Sequence, residues 1–401
     1  GAYRGVYLVG GAVRDLLLGE AVTDVDIAVE GDGIAFARTL GSALGGRVVP
    51  HDRFGTAVIV HGQGRVDVAT TRAEFYEEPA ALPAVEGATI RQDLGRRDFT
   101  VNAMAVSLGS DDYGRLVDPF GGRQDLEDGV VRVLHGLSFI DDPTRIFRAV
   151  RYESRYRFRM DPHTEALART CMEMGFVGEL SAVRIRDELV ALLEEKEILA
   201  VLTRLEDLDL ARWLQPELDV GSETRRLVVR LDDLRAAYLP APPAWRLRFA
   251  AMARRIPDDA RREWQAALKL RRRDAEKIDE AVQRAGQVVD ALGAVAEPFE
   301  ARELIAGIDP DGVLLSLALE DDGVARRWLE RYVDELRAIE LDISGTDVAS
   351  MGLAESPEVG LVMRELLRLK VNGELDDRAA ELATARRLIA ETARDDCEGP
   401  R

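Results

Sequence analysis

The chain is short of cysteine and histidine and has no long apolar run, and each shortage removes a class of function. Cys171 and Cys397 are its only two cysteines and stand far apart, so the sequence offers neither a disulfide framework nor a cysteine-built zinc site, as suits a reducing cytoplasm. The four histidines, His51, His61, His135 and His163, lack metal-ligand spacing, and His51-Asp52 has none of the companions that a phosphohydrolase centre needs. Apolar stretches such as Leu189 to Leu193 and Ile198 to Leu202 fall far short of the roughly 20 residues that span a bilayer. No signal peptide is recognisable, and no membrane partner is expected. A Walker loop of the form G-x-x-x-x-G-K-[ST] is missing too. The chain begins at Gly1, as a processed or partial chain would.

What is present is a 401-residue sequence with 46% hydrophobic residues, enough for a substantial core and two to four domains. Its formal net charge of −19 weighs against a polyanionic partner, because phosphate binding needs local positive charge. Nearly all the cations are arginine, however, clustered at Arg96-Arg97, from Arg145 to Arg159 and from Arg271 to Arg273. Arginine presents a planar fork of donors suited to phosphates and base edges, so an RNA partner stays open.

The first third alternates β-like runs (Val6 to Val9, Val25 to Val29, Thr56 to Val60, Arg65 to Val68) with helical stretches (Val13 to Leu18, Ile34 to Leu44). From about Pro143 the apolar spacing becomes helical almost throughout, and Pro240 to Pro243 marks a helix boundary. The expected fold class is α+β: a small mixed-sheet head followed by an all-helical remainder.

The strongest local signal is Gly10-Gly11-Ala12-Val13-Arg14-Asp15, placed between a strand and a helix. Two glycines there let backbone approach a ligand closely, and a helix N-terminus aims N–H groups at an anion. Nine residues on come Asp24 and Asp26, two apart on a strand and so on one face. Side-by-side carboxylates repel unless a cation sits between them, and one or two carboxylates plus substrate phosphates suit Mg²⁺. Asp67 is a possible third carboxylate, or equally a solvated strand residue.

These residues resemble the head of class II tRNA nucleotidyltransferases and the related bacterial poly(A) polymerases, members of the DNA polymerase beta superfamily. Further blocks follow in the same order: Arg96 to Met104; Asp118, Gly122 and Arg132; Asp142-Pro143-Thr144-Arg145 with Arg148 and Arg151; and Ser181 to Leu189. Asp342 to Val348 and Val359 to Leu367 resemble the family's tail. Asp141 stands where a glutamate is usual, which keeps the charge, and Val183 departs from another common glutamate. The resemblance implies a head over 1–135, a neck with the nucleotide-selecting helix over 136–205, a body over 206–330 and an RNA-binding tail over 331–401.

It also implies a cytoplasmic enzyme that adds CCA, or only the terminal A, to the 3′ acceptor end of tRNA from CTP and ATP. Asp24 and Asp26 would hold Mg²⁺ for a two-metal mechanism, Gly11 and Arg14 would hold the triphosphate, and Arg97 would add a cation unless it merely pairs with Asp98. Asp142 and Arg145, about one helical turn apart, would read the amine donor and ring-nitrogen acceptor shared by cytosine and adenine. Guanine and uracil mismatch both contacts, and buried polar groups left unpaired reject a wrong base strongly. Arg148 and Arg151 would continue the nucleotide-binding face. The stretch from Thr71 to Leu94 has the ordinary length of the family's flexible loop, which CC-only members lack. Poly(A) synthesis is the alternative.

Overall fold

The computed structural model describes residues 3–52, 55–62, 64–75, 84–353 and 357–395, so Gly1, Cys397 and the 76–83 part of the expected flexible loop lie outside it. The chain divides into two compact units, Gly1–Ala211 with Ala267–Lys269, and Arg212–Ala266 with Leu270–Arg401. The expected divisions after residues 135 and 330 fall inside these units, and the one after 205 lies close to the boundary between them.

The first unit opens with a seven-stranded mixed sheet. Its strands are β1 (Gly5–Val9), β2 (Val25–Glu30), β3 (Arg47–His51), β4 (Thr56–His61) and β5 (Gly64–Thr70), then the short β8 (Ala105–Ser107) and β9 (Leu116–Val117). A separate hairpin of β6 (Arg72–Phe75) and β7 (Ala84–Gly87) lies between the two groups in sequence. The sheet order is β3-β4-β5-β2-β1-β8-β9, with β2 and β5 parallel and the other neighbours antiparallel. Helix α1 (Gly11–Leu18) follows β1, and α2 (Gly33–Ala43) follows β2 with Asp32 capping it through the Ala35 N–H.

Strand alternation sorts β2 onto two faces. Ile27 and Val29 join Val66, Val68 and Ile59 in the core beneath α2. Ala28 faces the other way, into a core shared with Ile90 and Leu94 of the short α3 (Ile90–Gly95). Even-numbered β2 residues therefore look toward α3, and Glu30 confirms it by accepting from the Ile90 N–H. This assignment decides where the β2 carboxylates point.

The same unit continues as helices α4 (Gly122–Glu127), α5 (Ser138–Asp141), α6 (Thr144–Tyr156), α7 (Pro162–Glu173), α8 (Ala182–Leu193) and α9 (Ile198–Asp207). α6 buries Ile146, Phe147, Ala149 and Val150 and ends where Arg157 turns left-handed at φ 56°. Cys171 is buried in α7, where loss of water pushes its thiol up to about 11. It is a packing residue, not a reactive one.

The second unit is helical. Pro240 to Pro243 separates the helices Ser222–Ala237 and Ala244–Ala253, as the proline cluster indicates. Buried arginines are matched by acids, with Arg246 on Asp311 and Asp274 and Arg261 on Asp279 and Asp258. Near the C-terminus, fully buried Glu381 accepts from the Asp342 and Ile343 N–H groups and from Lys370. No described helix is long and apolar enough to cross a membrane.

Candidate active site

A cavity of about 620 Å³ opens in the first unit where α1, β2, α6 and α8 converge. One edge of it is the turn from β1 into α1. Gly10 takes φ 68°, a left-handed conformation that side chains resist, and a Cβ there would collide with the Arg97 guanidinium. Gly11 and Ala12, the first residues of α1, line the cavity, so the positive end of the helix faces it. Sequence and structure agree on this turn.

Asp24 and Asp26 line the same cavity, and Asp67 is the in-register neighbour of Asp26 on the parallel strand β5. Both Val66 and Val68 belong to the core beneath α2, so Asp67 shares the α3 face with Asp26. Burial pushes the Asp26 carboxyl up; Arg97 opposes that, and the neighbouring Asp67 and Asp24 add to it. Asp67 lines an adjoining cavity of about 380 Å³, which also touches Asp26, and is paired with Arg65 at 2.8 Å. Among the described residues no group of three or more His, Cys, Asp or Glu side chains is disposed to hold a metal. The Asp24 and Asp26 pair is an all-oxygen donor set that needs further oxygen ligands, which is what substrate phosphates supply to Mg²⁺. The residues fit such an ion.

The block from Arg96 to Asn102 lines the cavity beside the turn from β1 into α1. Arg97 does not pair with Asp98. Its Nη2 donates to Asp93 at 3.2 Å, and its Nε is buried without a hydrogen-bond partner. An orphaned guanidinium N–H beside a helix N-terminus is suited to an anion. Burial alone would raise the Asp93 carboxyl, but Arg96, Arg97 and the Arg72 N–H outweigh it and hold it below the usual range.

Asp98 is instead the partner of Arg148, which donates to its Oδ2 from Nε at 2.9 Å and Nη2 at 2.5 Å. Arg148 therefore reaches the cavity wall with its charge already engaged. Arg151 does not line it, and stands behind the cavity-lining Glu188 at 3.5 Å with Glu195 at 3.7 Å. The three-residue step leaves Arg148 and Arg151 about 60° apart on the helix, neighbours that both act on Glu188 while their nearest partners differ, Asp98 for one and Glu188 with Glu195 for the other.

Asp142 and Arg145 both line the cavity, but each is held by a partner that the sequence does not reveal. Asp142 Oδ1 accepts from the Thr144 N–H at 3.0 Å, the Thr144 hydroxyl at 2.5 Å and Arg184 Nη2 at 2.6 Å. Arg145 is buried and donates to the Ser138 hydroxyl at 2.5 Å and the Arg96 carbonyl at 2.8 Å. The acid at the start of α6 is thus both a cap for the helix and one half of an ion pair with α8. Arg184, together with Glu188, is the site component that only the weakly matched block beginning at Ser181 hinted at.

Residues 6–132 match the family described as the poly A polymerase head domain, and 157–221 match a probable RNA and SrmB-binding site of polymerase A. An A-adding tRNA nucleotidyltransferase of Halalkalibacterium halodurans is 32% identical over 395 residues, covering 96% of this chain and 88% of that protein. The chain belongs to the tRNA nucleotidyltransferase and poly(A) polymerase family. A second A-adding tRNA nucleotidyltransferase, from Geobacter sulfurreducens, is 38% identical over 96% of this chain, which spans only 45% of that protein's length. The Thermotoga maritima CCA-adding enzyme, solved with tRNA-CCA, superposes with a TM-score of 0.76 at 31% identity, covering 97% of this chain and 91% of that one. These matches run through both the mixed-sheet head and the helical remainder.

Proposed function

We propose that the chain adds nucleotides to the 3′ acceptor end of tRNA from ATP, and from CTP if it builds the whole CCA, without a nucleic-acid template and with release of pyrophosphate. The observation that carries this reading is one cavity that joins three components: the Asp24 and Asp26 pair, the Gly10-Gly11 turn with Arg97, and the polar wall of Asp142, Arg145 and Arg184. Both relatives compared above are named A-adding, which favours the terminal adenosine as the least that the chain adds.

Mg²⁺ held by Asp24 and Asp26 would supply activation of the attacking hydroxyl and neutralisation of the leaving oxygens. The chain's own residues do the rest. The α1 N-terminus and the cavity-lining Arg97 guanidinium hold the triphosphate. Asp142 offers an acceptor to the exocyclic amine of adenine or cytosine, and Arg145 a donor to the ring nitrogen, once base binding draws them from Arg184 and Ser138. The neighbouring Arg148, neutralised by Asp98, stiffens this wall. Asp67 faces the adjoining cavity and is suited to the acceptor side of the carboxylate pair. The helical second unit grips the RNA through phosphate contacts that carry no sequence information. The enzyme works in the cytoplasm, where tRNA is matured.

The test uses two tRNA transcripts, one ending at the discriminator base and one after CC, each incubated with Mg²⁺, CTP and ATP and sequenced at the 3′ end. Addition of A to the CC-ended transcript alone makes the chain an A-adding enzyme, and completion of both makes it a whole-CCA enzyme. Long A tails select poly(A) synthesis instead, and no extension of either transcript overturns the reading.

A further inference from the structure

Arg14 looks from sequence like one more cation for the triphosphate, yet its surroundings assign it another task. It is buried, and four of its five N–H groups are spent inside the protein. Nε and Nη2 engage Asp15 Oδ1 at 2.9 and 2.7 Å, while Nη1 donates to Asn102 Oδ1 at 2.7 Å and to the Tyr152 hydroxyl at 3.3 Å. The guanidinium carbon lies 4.6 Å from the Tyr156 ring centre and 5.3 Å from that of Tyr152, two rings stacked one turn apart on α6. Asn102 passes the connection on, donating from Nδ2 to Asp98 Oδ1 at 2.8 Å and to the Tyr152 hydroxyl at 3.0 Å. Asp98 in turn holds Arg148. One guanidinium thus ties the triphosphate turn on α1 to the Asn102 segment and to the helix that begins with Asp142 and Arg145.

We propose that Arg14 is a positioning residue that fastens α6 to the triphosphate turn, and that it contributes base discrimination rather than charge on the phosphates. The proposal rests on the nucleotide reading of the cavity given above, but not on tRNA being the acceptor. A planar fork packed against two stacked rings and bonded at both ends can hold a helix in one orientation, whereas a lysine keeps the charge without the fork. Loosening α6 moves Asp142 and Arg145 relative to the base while leaving Gly11 and Arg97 in place.

Calorimetry on the full chain with Mg²⁺ separates the two roles, using inorganic tripolyphosphate as a probe of the phosphate site alone and ATP against GTP as a probe of base reading. For both Arg14→Met and Arg14→Lys, the tripolyphosphate affinity is expected to stay within about twofold of the unchanged chain. The preference for ATP over GTP is expected to fall by about tenfold or more, the order of one buried hydrogen bond lost. A tenfold loss of tripolyphosphate affinity in Arg14→Met that lysine restores would overturn the proposal, as would an unchanged ATP preference. Should Arg14→Met fail to fold, Tyr156→Leu removes only one ring of the clamp and is expected to lower the same preference; full preference in that variant refutes the clamp. Because these are binding measurements, a chain that never extends tRNA would sink the proposed function without touching this result.

Discussion

Replacing Arg148 with methionine is the sharpest probe of how α6 is held. The substitution keeps an apolar stem of similar length and removes the guanidinium. Asp98 is 9% exposed, and its Oδ1 keeps the Phe99 N–H and the Asn102 amide, both at 2.8 Å. Its Oδ2 loses both of the bonds from Arg148. Stranding a buried charge in this way costs about 3–5 kcal/mol, and because a third of the Arg148 side chain is exposed the lower end applies, about 3 kcal/mol at neutral pH. The pH dependence carries a sign. Burial alone would raise the Asp98 carboxyl, but Arg148, Asn102 and the Phe99 N–H hold it below the usual range, so its stabilisation is full above the unfolded value of about 3.9 and fades as pH falls through the lower folded value. Without Arg148 burial pushes the same carboxyl up, and the variant regains stability by taking a proton on acidification. The gap between the two proteins is therefore widest at pH 7 and closes below about pH 4. Trp213, Trp245, Trp264 and Trp328 all lie in the second unit, so their fluorescence is the wrong probe. Hydrogen exchange across residues 144–156 in a urea series reads the correct one. A loss under about 1 kcal/mol, typical of an exposed pair, or a gap that does not change between pH 4 and 7, would refute the reasoning.

Asp24→Asn and Asp26→Asn should each cut the rate of nucleotide addition by more than about 100-fold, the upper end of what losing even a metal's outer partners costs, with the far-UV spectrum unchanged. Steady-state kinetics on a CC-ended transcript reads this. Arg184→Met releases Asp142 from its pair with α8, and the ratio of kcat/KM for ATP over GTP is expected to fall about tenfold while thermal stability drops by no more than about 1–2 kcal/mol. Gly122→Ala puts a Cβ onto the Thr100 carbonyl oxygen and against the Met104 side chain, so backbone must move. A loss of about 1–3 kcal/mol on urea unfolding followed by far-UV circular dichroism is expected, and a neutral result would show that the Thr100 segment yields freely.

The parts of the site that lie close in sequence were legible in advance. Period-two alternation alone places Asp24 and Asp26 on one face, and the glycine pair marks the turn where φ becomes positive. What stayed hidden was pairing at a distance. Asp98 follows Arg97 directly, so the sequence offered them to each other, yet the chain turns between them and sends Arg97 to Asp93 and Asp98 to Arg148, fifty residues on. Likewise nothing local links Asp142 to Arg184. In the fold, β8 and β9 are too short at three and two residues to show an alternating pattern. β3 carries Pro50, which argues against a strand until the sheet order shows it at an edge, where a missing N–H is tolerated. The acidic net charge pointed away from a polyanion, and the site explains why that was a weak guide.

The cavity is lined by six arginines, Arg14, Arg96, Arg97, Arg145, Arg148 and Arg184, and by seven carboxylates, a formal balance of −1. Five of those arginines are already ion-paired: Arg14 with Asp15, Arg96 and Arg97 with Asp93, Arg148 with Asp98 and Arg184 with Asp142. A triphosphate entering this space meets little uncompensated positive charge beyond Arg145, held by the neutral Ser138 hydroxyl and Arg96 carbonyl, and the end of α1. On the proposed reading, divalent cations on Asp24 and Asp26 would serve binding as well as chemistry, since they would convert the repulsive carboxylate pair into the attractive part of the site. ATP affinity should consequently fall by about 100-fold or more in EDTA, near 2.7 kcal/mol. In Asp24→Asn/Asp26→Asn, where that repulsion is gone, metal-free ATP should bind more tightly than it does to the unchanged chain. Calorimetry with and without Mg²⁺ decides it. Equal ATP affinity in the two conditions would mean that the arginines alone carry the triphosphate, and that their acidic partners give way when it arrives.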